Sequence, residues 1–293
     1  MVVQDYLVCY FDLLGQRLGL LKGVRETPDV TTVQSEIDKV SGAIQRFNAI
    51  ITGTKKVLIT ESPDLLGNLG FSEQYKATFL EKIKNAHFGI QQFSDATFFF
   101  ANVENEDGTG LGVFIVWCLY FAANFLHLLS DHLMIRGGIT VGKGWKIPPD
   151  YLYGPVLEDV YNLESRIAVF PRIVITDEAL RHLKKIDQSR FRCMDFFTED
   201  YDGVRIFDYL SLPVIRWFEA NMSVQRANII YTLKEAINFI HTEYCSLKRK
   251  VSQDISYAEE TRKLAYLIGY WQSRLESIVN FYATSGIDEQ KLQ

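Results

Sequence analysis

The sequence predicts an α+β fold, a mixed sheet with helices packed on it, followed by a helical extension. Three observations carry that prediction. Short runs rich in β-branched and aromatic residues recur through the first 210 residues or so: YLVCYF at 6–11, FGIQQF at 88–93, ATFFFANV at 96–103, LMIRGGIT at 133–140 and PRIVIT at 171–176. Longer stretches with apolar residues at helical spacing separate them. From Pro213 onward only the helical spacing remains, with long amphipathic candidates at 224–250 and 257–282. The expected division is therefore a mixed domain at 1–212 and a helical extension at 213–293.

A chain of 293 residues can bury a proper core as one large domain or as a core with an appendage. Its formal net charge of −5 argues against a broad nucleic-acid-binding face. The run Lys248-Arg249-Lys250 reads as a solvated helix end. Cys9, Cys118, Cys193 and Cys245 are far apart and make no CxxC or Cys/His cluster, so neither a zinc site nor a disulfide framework is implied, and a reducing cytoplasm fits best. MVVQDYLVCYF enters a strand at once, without the basic segment and cleavage site of a secretory signal.

In chain order, the strand at 6–11 ends at Asp12, and Leu13-Leu14-Gly15-Gln16-Arg17 reads as a turn into a helix reaching about residue 22. A polar joint at Glu26-Thr27-Pro28-Asp29 leads to a second helix at 32–51, weakened by Ser41 and Gly42. Residues 53–87 are less legible, with a strand near 56–60, a turn at Pro63-Asp64 and a helix near 72–84. Two strands then meet at Ser94-Asp95, and a loop follows at 105–110. Residues 111–129 carry no formal charge and are long enough to cross a bilayer. Asn124 and His127 interrupt that stretch and it runs into another strand, so a helix buried against the sheet is the expected form.

The strand at 133–140 contains Gly137-Gly138 and is followed by Gly142-Lys143-Gly144, a spacing that signals close backbone approach or a bulge and matches neither common phosphate-loop pattern. Tyr151-Leu152-Tyr153-Gly154-Pro155 leads into a helix from about Val156, with Glu158, Asn162 and Arg166 on one face. A strand at 171–176, a helix at 177–185 capped by Thr176 or Asp177, and a hairpin at 191–209 turning near Asp202-Gly203 complete the mixed part. The tail beyond Ser285 is polar.

Asp12 and Asp95 are the candidate functional residues. Each stands beside apolar strand sequence, where an unpaired carboxylate is costly and must be held in a turn, by a cation or by a metal. A turn accounts for either Asp taken singly. Two at the ends of neighbouring strands could instead share a hard divalent cation such as Mg²⁺, with the backbone amides around Gly15 facing a phosphate.

With these motifs placed, the chain resembles the class III nucleotidyl cyclases, most of all the stand-alone bacterial pyrimidine cyclases of the Pycsar antiphage system. YFDLLGQ stands where that family has its first metal Asp, FSDATFFF where it has its second, and Arg136-Gly-Gly-Ile-Thr-Val-Gly142 and Gly154…Leu163-Glu164-Ser165 follow in order. The match covers roughly residues 5 to 210. It implies a ferredoxin-like βαββαβ core and a head-to-tail homodimer with active sites at the interface. It also implies cyclisation of a nucleoside triphosphate, with Asp12, Asp95 and the Leu13 carbonyl holding two Mg²⁺ or Mn²⁺ ions. The product would be read by a separate effector protein, with neither nucleic acid nor membrane as a partner.

Departures from the family pattern set further expectations. With Gly154 and Leu163-Glu164-Ser165 in register, Glu158 takes the family's Asn position and Asn162 its Arg position, while the other register restores the pair as Asn162 and Arg166. Gln91 and Tyr151 replace the Lys and Asp with which adenylate-forming members read the base, which points to UTP or CTP rather than a purine substrate. The altered pair leaves open an inactive cyclase-like module that binds a nucleotide or partner, and residues 111–129 leave open a membrane-anchored sensor.

Overall fold

The computed structural model describes residues 2–14, 88–93, 96–103, 134–148, 151–185, 193–221, 226–252 and 254–284, with isolated helical positions at 34, 38, 41, 42, 44, 45, 49, 114 and 118. Eight strands are described: β1 (Gln4–Leu14), β2 (Phe88–Phe93), β3 (Ala96–Asn102), β4 (Met134–Ile147), β5 (Tyr151–Tyr153), β6 (Ile173–Ile175), β7 (Phe197–Glu199) and β8 (Arg205–Phe207). The described helices, numbered in chain order, are α1 (Pro155–Asn162), α2 (Asp177–Lys184), α3 (Leu212–Asn221), α4 (Arg226–Val251) and α5 (Ala258–Thr284).

The order β2-β3-β1-β4-β6-β8-β7 explains what the sheet is. Its first four strands pair antiparallel throughout, with β1 between β3 and β4. Helical positions lie between β1 and β2 and between β3 and β4. That is the ferredoxin-like βαββαβ arrangement, so the α+β expectation describes the observed architecture. β6 then joins parallel to β4, the two being connected through α1, and β8 and β7 extend the edge as an antiparallel hairpin. Gly203, at φ 78, makes the hairpin turn expected there. Thr176 caps α2 as predicted, its Oγ1 accepting from the Ala179 amide at 3.3 Å.

Period-two alternation divides the sheet between two cores. Leu7, Cys9, Phe11, Phe99, Ala101, Ile135 and Ile139 share one buried cluster with Phe114, Cys118 and side chains of α2 to α5. Tyr6, Val8, Tyr10, Ala96, Phe98 and Phe100 form the opposite one, closed by Leu152, Val156 and Val160. Cys9 and Cys118 are packing residues, and burial pushes both thiols well above their ordinary range.

Three expectations need correction. β1 runs on through Leu14, so Asp12 lies inside a strand, paired with Ala96 on one side and Arg136 on the other, because the ladder to β4 continues to Met134. Residues 151–155 lead into the helix as expected, at Pro155, but residues 151–153 are themselves a strand: β4 extends to Ile147, and β5 folds back on Trp145 to Ile147. The α-helix stops at Asn162 and gives way to a π turn at Leu163–Ile167, closed by the Ala168 amide donating to the Leu163 carbonyl at 3.0 Å. Arg166 therefore leaves the face shared by Glu158 and Asn162, because a wider turn shifts every residue that follows.

Leu13 and Leu14 belong to β1 and not to the expected turn, and the helix expected to reach about residue 22, the elements expected within 53–87 and the loop at 105–110 lie outside the described residues. So does the apolar stretch at 111–129, apart from residues 114 and 118, which are helical and buried. Among the described residues, no helix is long and apolar enough to cross a membrane.

Candidate active site

Strand register sets out the site row by row. In an antiparallel pair, directly opposed residues point to the same face. Phe93 opposes Ala96, Ala96 opposes Asp12, and Asp12 opposes Arg136, which makes one row across four strands. Gln91, Phe98, Tyr10 and Gly138 make the next row on that face. The face is the one covered by α1, so Asp12 stands where the apolar cover of α1 gives out.

Glycine lets α1 approach. A Cβ on Gly138 would come within 3.0 Å of the Val160 carbonyl oxygen and 3.2 Å of Leu163, and one on Gly142 within 3.2 Å of Val156. The close backbone approach that the glycine spacing signals is thus α1 lying across β4. Gly154 starts the helix at φ 133, and a Cβ there would meet the Gly144 Cα at 2.7 Å.

A partly buried ion-pair cluster occupies the end of this face. Arg136 Nη2 lies 3.5 Å from Asp12 Oδ2, and Arg136 Nε pairs with Glu164 Oε1. The Asp12 side chain is 19% exposed and that of Glu164 only 1%. Sequence reasoning used Glu164 only as a register mark. The signal for more was present: Val156, Val160 and Glu164 follow one another at four-residue spacing, so a carboxylate continues a stripe whose earlier members are apolar and buried.

Gln91 and Tyr151 come together at β5. The Gln91 side chain is buried, and its Oε1 accepts from the Leu152 amide at 3.0 Å, immediately after the half-exposed Tyr151. Asn162 is half-buried at the end of α1, whereas Arg166 is exposed. Leu13 lies in β1 opposite Ile135. Asp95 and Gly15 fall outside the described residues. Phe93, in the row of Asp12, and Tyr161, on α1, are both exposed. Tyr161 sets its ring edge against Tyr10, with centroids 6.0 Å apart.

For the divalent ions that the resemblance implies, the Asp12 carboxylate is a hard oxygen donor, 19% exposed, on which Arg136 does not close, standing 3.5 Å away. That fits. Among the described residues, no group of three or more His, Cys, Asp or Glu side chains gathers to hold a metal.

No family model matches the chain, and no curated protein matches it. Among solved structures it is similar to the guanylate cyclase domain of RhGC from Catenaria anguillulae in complex with GTP, with 11% identity and a TM-score of 0.39 over 70% of this chain and 95% of that one. It is also similar to the catalytic core of a rhodopsin-guanylyl cyclase with converted specificity in complex with ATPalphaS, with 11% identity and a TM-score of 0.35 over 69% and 92%.

Proposed function

We propose that the protein is a nucleotidyl cyclase that converts a pyrimidine nucleoside triphosphate, UTP or CTP, to a 3′,5′-cyclic mononucleotide and pyrophosphate. The observation that carries this reading is the pairing of Asp12 with Ala96 inside a ferredoxin-like sheet, since Ala96 directly follows Asp95 in the chain. Asp12, Asp95 and the Leu13 carbonyl would hold two Mg²⁺ or Mn²⁺ ions. Bound there, the ions would lower the pKa of the ribose 3′-hydroxyl and neutralise charge on the triphosphate.

In the reaction the 3′-oxygen bonds to the α-phosphorus as the bond to the β-phosphate oxygen breaks, and pyrophosphate leaves in line. The backbone around Gly15 contacts phosphate. Gln91, anchored by the Leu152 amide, and Tyr151 beside it line the base subsite, and the loss of both purine-reading groups favours the smaller base. Asn162 at the end of α1 and Arg166 on the π turn after it, which lie on different faces, reach the active site of a second copy from two sides in a head-to-tail homodimer, whose interface the exposed aromatic residues around α1 supply. The cyclic product serves as a cytoplasmic alarm in antiphage defence and is read by a separate effector.

The test is to incubate wild-type protein and Asp95→Ala with each of the four ribonucleoside triphosphates and Mn²⁺, and to identify products by mass. Wild type should cyclise UTP or CTP, and Asp95→Ala should make no product. Mixing Asp95→Ala with Arg166→Ala chains should restore part of the activity if sites form between subunits. Faster cyclisation of ATP or GTP would overturn the pyrimidine assignment alone. No cyclic product from wild type with any of the four would overturn the cyclase reading, and full activity in Asp95→Ala would overturn the metal role of Asp95.

A further inference from the structure

We propose that Glu164 is a positioning residue for the candidate metal ligand Asp12, acting through Arg136, an inference that rests on the cyclase reading above. Three observations on this face lead to it. Glu164 is a carboxylate at 1% exposure on the buried stripe of α1 and the π turn, where burial is costly without a cation. That cation is Arg136, held at Nε. Nη2 of the same guanidinium lies 3.5 Å from Asp12 Oδ2, longer than the 2.7–2.9 Å of a charge-assisted hydrogen bond.

The guanidinium is a rigid fork, so fixing its Nε end fixes where its Nη end stands. Held by Glu164, Arg136 lies near Asp12 without closing on it. Its charge is also balanced locally, so that Asp12 keeps most of its attraction for a divalent cation. The π turn secures the other end of the arrangement, because the Ala168 amide to Leu163 carbonyl bond fixes the backbone that carries Glu164. Without the Glu164 charge, Asp12 is the nearest carboxylate left to Arg136, with Glu259 acting on it from farther away, and the pair closes. Arg136 then competes directly with the ion for Asp12.

Mn²⁺ binding to the full chain without nucleotide, counted by the loss of the free-ion EPR signal, tests the inference apart from activity. Glu164→Gln should bind Mn²⁺ about tenfold more weakly than wild type, and the double variant Glu164→Gln/Arg136→Gln should return to within about threefold of wild type, the non-additivity expected of groups in one network. Thermal melts run alongside separate a structural role, since a Glu164 that served only the fold would lower the melting temperature and leave Mn²⁺ affinity unchanged. Equal affinity in Glu164→Gln and wild type overturns the proposal, as does a double variant as weak as Glu164→Gln. Asp12→Asn distinguishes failure of the underlying reading: if it binds Mn²⁺ as wild type does, or if wild type binds none, Asp12 is not a metal ligand.

Discussion

At Gly137 a single methyl group decides whether β1 and β4 can pair. A Cβ there would lie 2.5 Å from the Tyr10 carbonyl oxygen and 2.9 Å from Phe11 Cδ1, and the oxygen belongs to backbone that cannot move without breaking the ladder. Gly137→Ala should destabilise the protein by about 1–3 kcal/mol, the usual cost of overpacking. Gly269, exposed within α5 with nothing inside 4 Å of a Cβ, supplies the opposite sign: Gly269→Ala should stabilise by up to about 1 kcal/mol through helix propensity. Urea titrations with unchanged slopes would read both shifts in the midpoint. The sequence marked 137–144 as glycine-rich but could not say which neighbour came close, because that neighbour is remote in the chain. Asp12 was legible for a related reason, since a carboxylate inside YFDLL demands a partner wherever the strand ends. Glu164 is hard to read from the sequence because the polar line Glu158, Asn162 and Arg166 marks a helix face other than that of Val156 and Val160.

Among the elements, the β7–β8 hairpin, the π turn and α5 are joined at one side chain. Arg172, 4% exposed, donates from Nη1 to Asp200 Oδ2 at 2.6 Å and Asp202 Oδ1 at 2.9 Å, and from Nη2 to Asp202 Oδ2 at 2.7 Å and the Ile167 carbonyl at 3.1 Å. Tyr266 on α5 completes the clamp by donating to Asp200 Oδ2 at 2.8 Å. Arg172→Met should cost about 3–5 kcal/mol, because it leaves carboxylates without their cation. The clamp also sets a pH window. The hydrogen bond from Arg172, the largest effect at Asp202, holds that carboxyl below its ordinary range, so its contribution is present above an unfolded value of about 3.9 and is lost as pH falls through the folded one. Burial, then the charge of Asp200, pushes Tyr266 up, so its contribution is present below an unfolded value of about 10 and is lost as pH rises beyond it. Chemical denaturation across pH should show wild type losing stability at both ends and Arg172→Met losing less at the acid end. Most of these elements were legible from strand composition, a Thr cap and an Asp-Gly turn. β5 was not, because three residues are too short for alternation to register, although Pro148-Pro149-Asp150 between two aromatic-rich runs is a turn signal.

For the whole molecule, the change of texture at Pro213 was legible, but the destination of the helices beyond it was not. Amphipathic spacing reveals that a face is buried without revealing against what. Here the buried faces of α3, α4 and α5 belong to the same cluster as β1, β3 and β4. Trp271, fully buried on α5, donates from Nε1 to the buried Tyr209 hydroxyl at 2.9 Å. The neighbouring Asp208, 3% exposed, accepts from the Tyr270 hydroxyl at 2.7 Å and pairs with Arg274 at 2.5 Å. Removing everything after residue 212 would leave Asp208 without Tyr270 and Arg274 and open the cluster wherever α3, α4 and α5 cover it. Losing a buried Trp alone costs about 3–5 kcal/mol, against a total stability of roughly 5–15 kcal/mol for a folded domain. The fragment 1–212 should therefore lack a cooperative thermal transition and give a collapsed amide NMR spectrum, while full-length Trp271→Ala should still melt cooperatively at a lower temperature. A well-dispersed spectrum and a sharp melt from 1–212 would mean that the sheet holds its fold without α3 to α5, and that the helices dock on a core already complete.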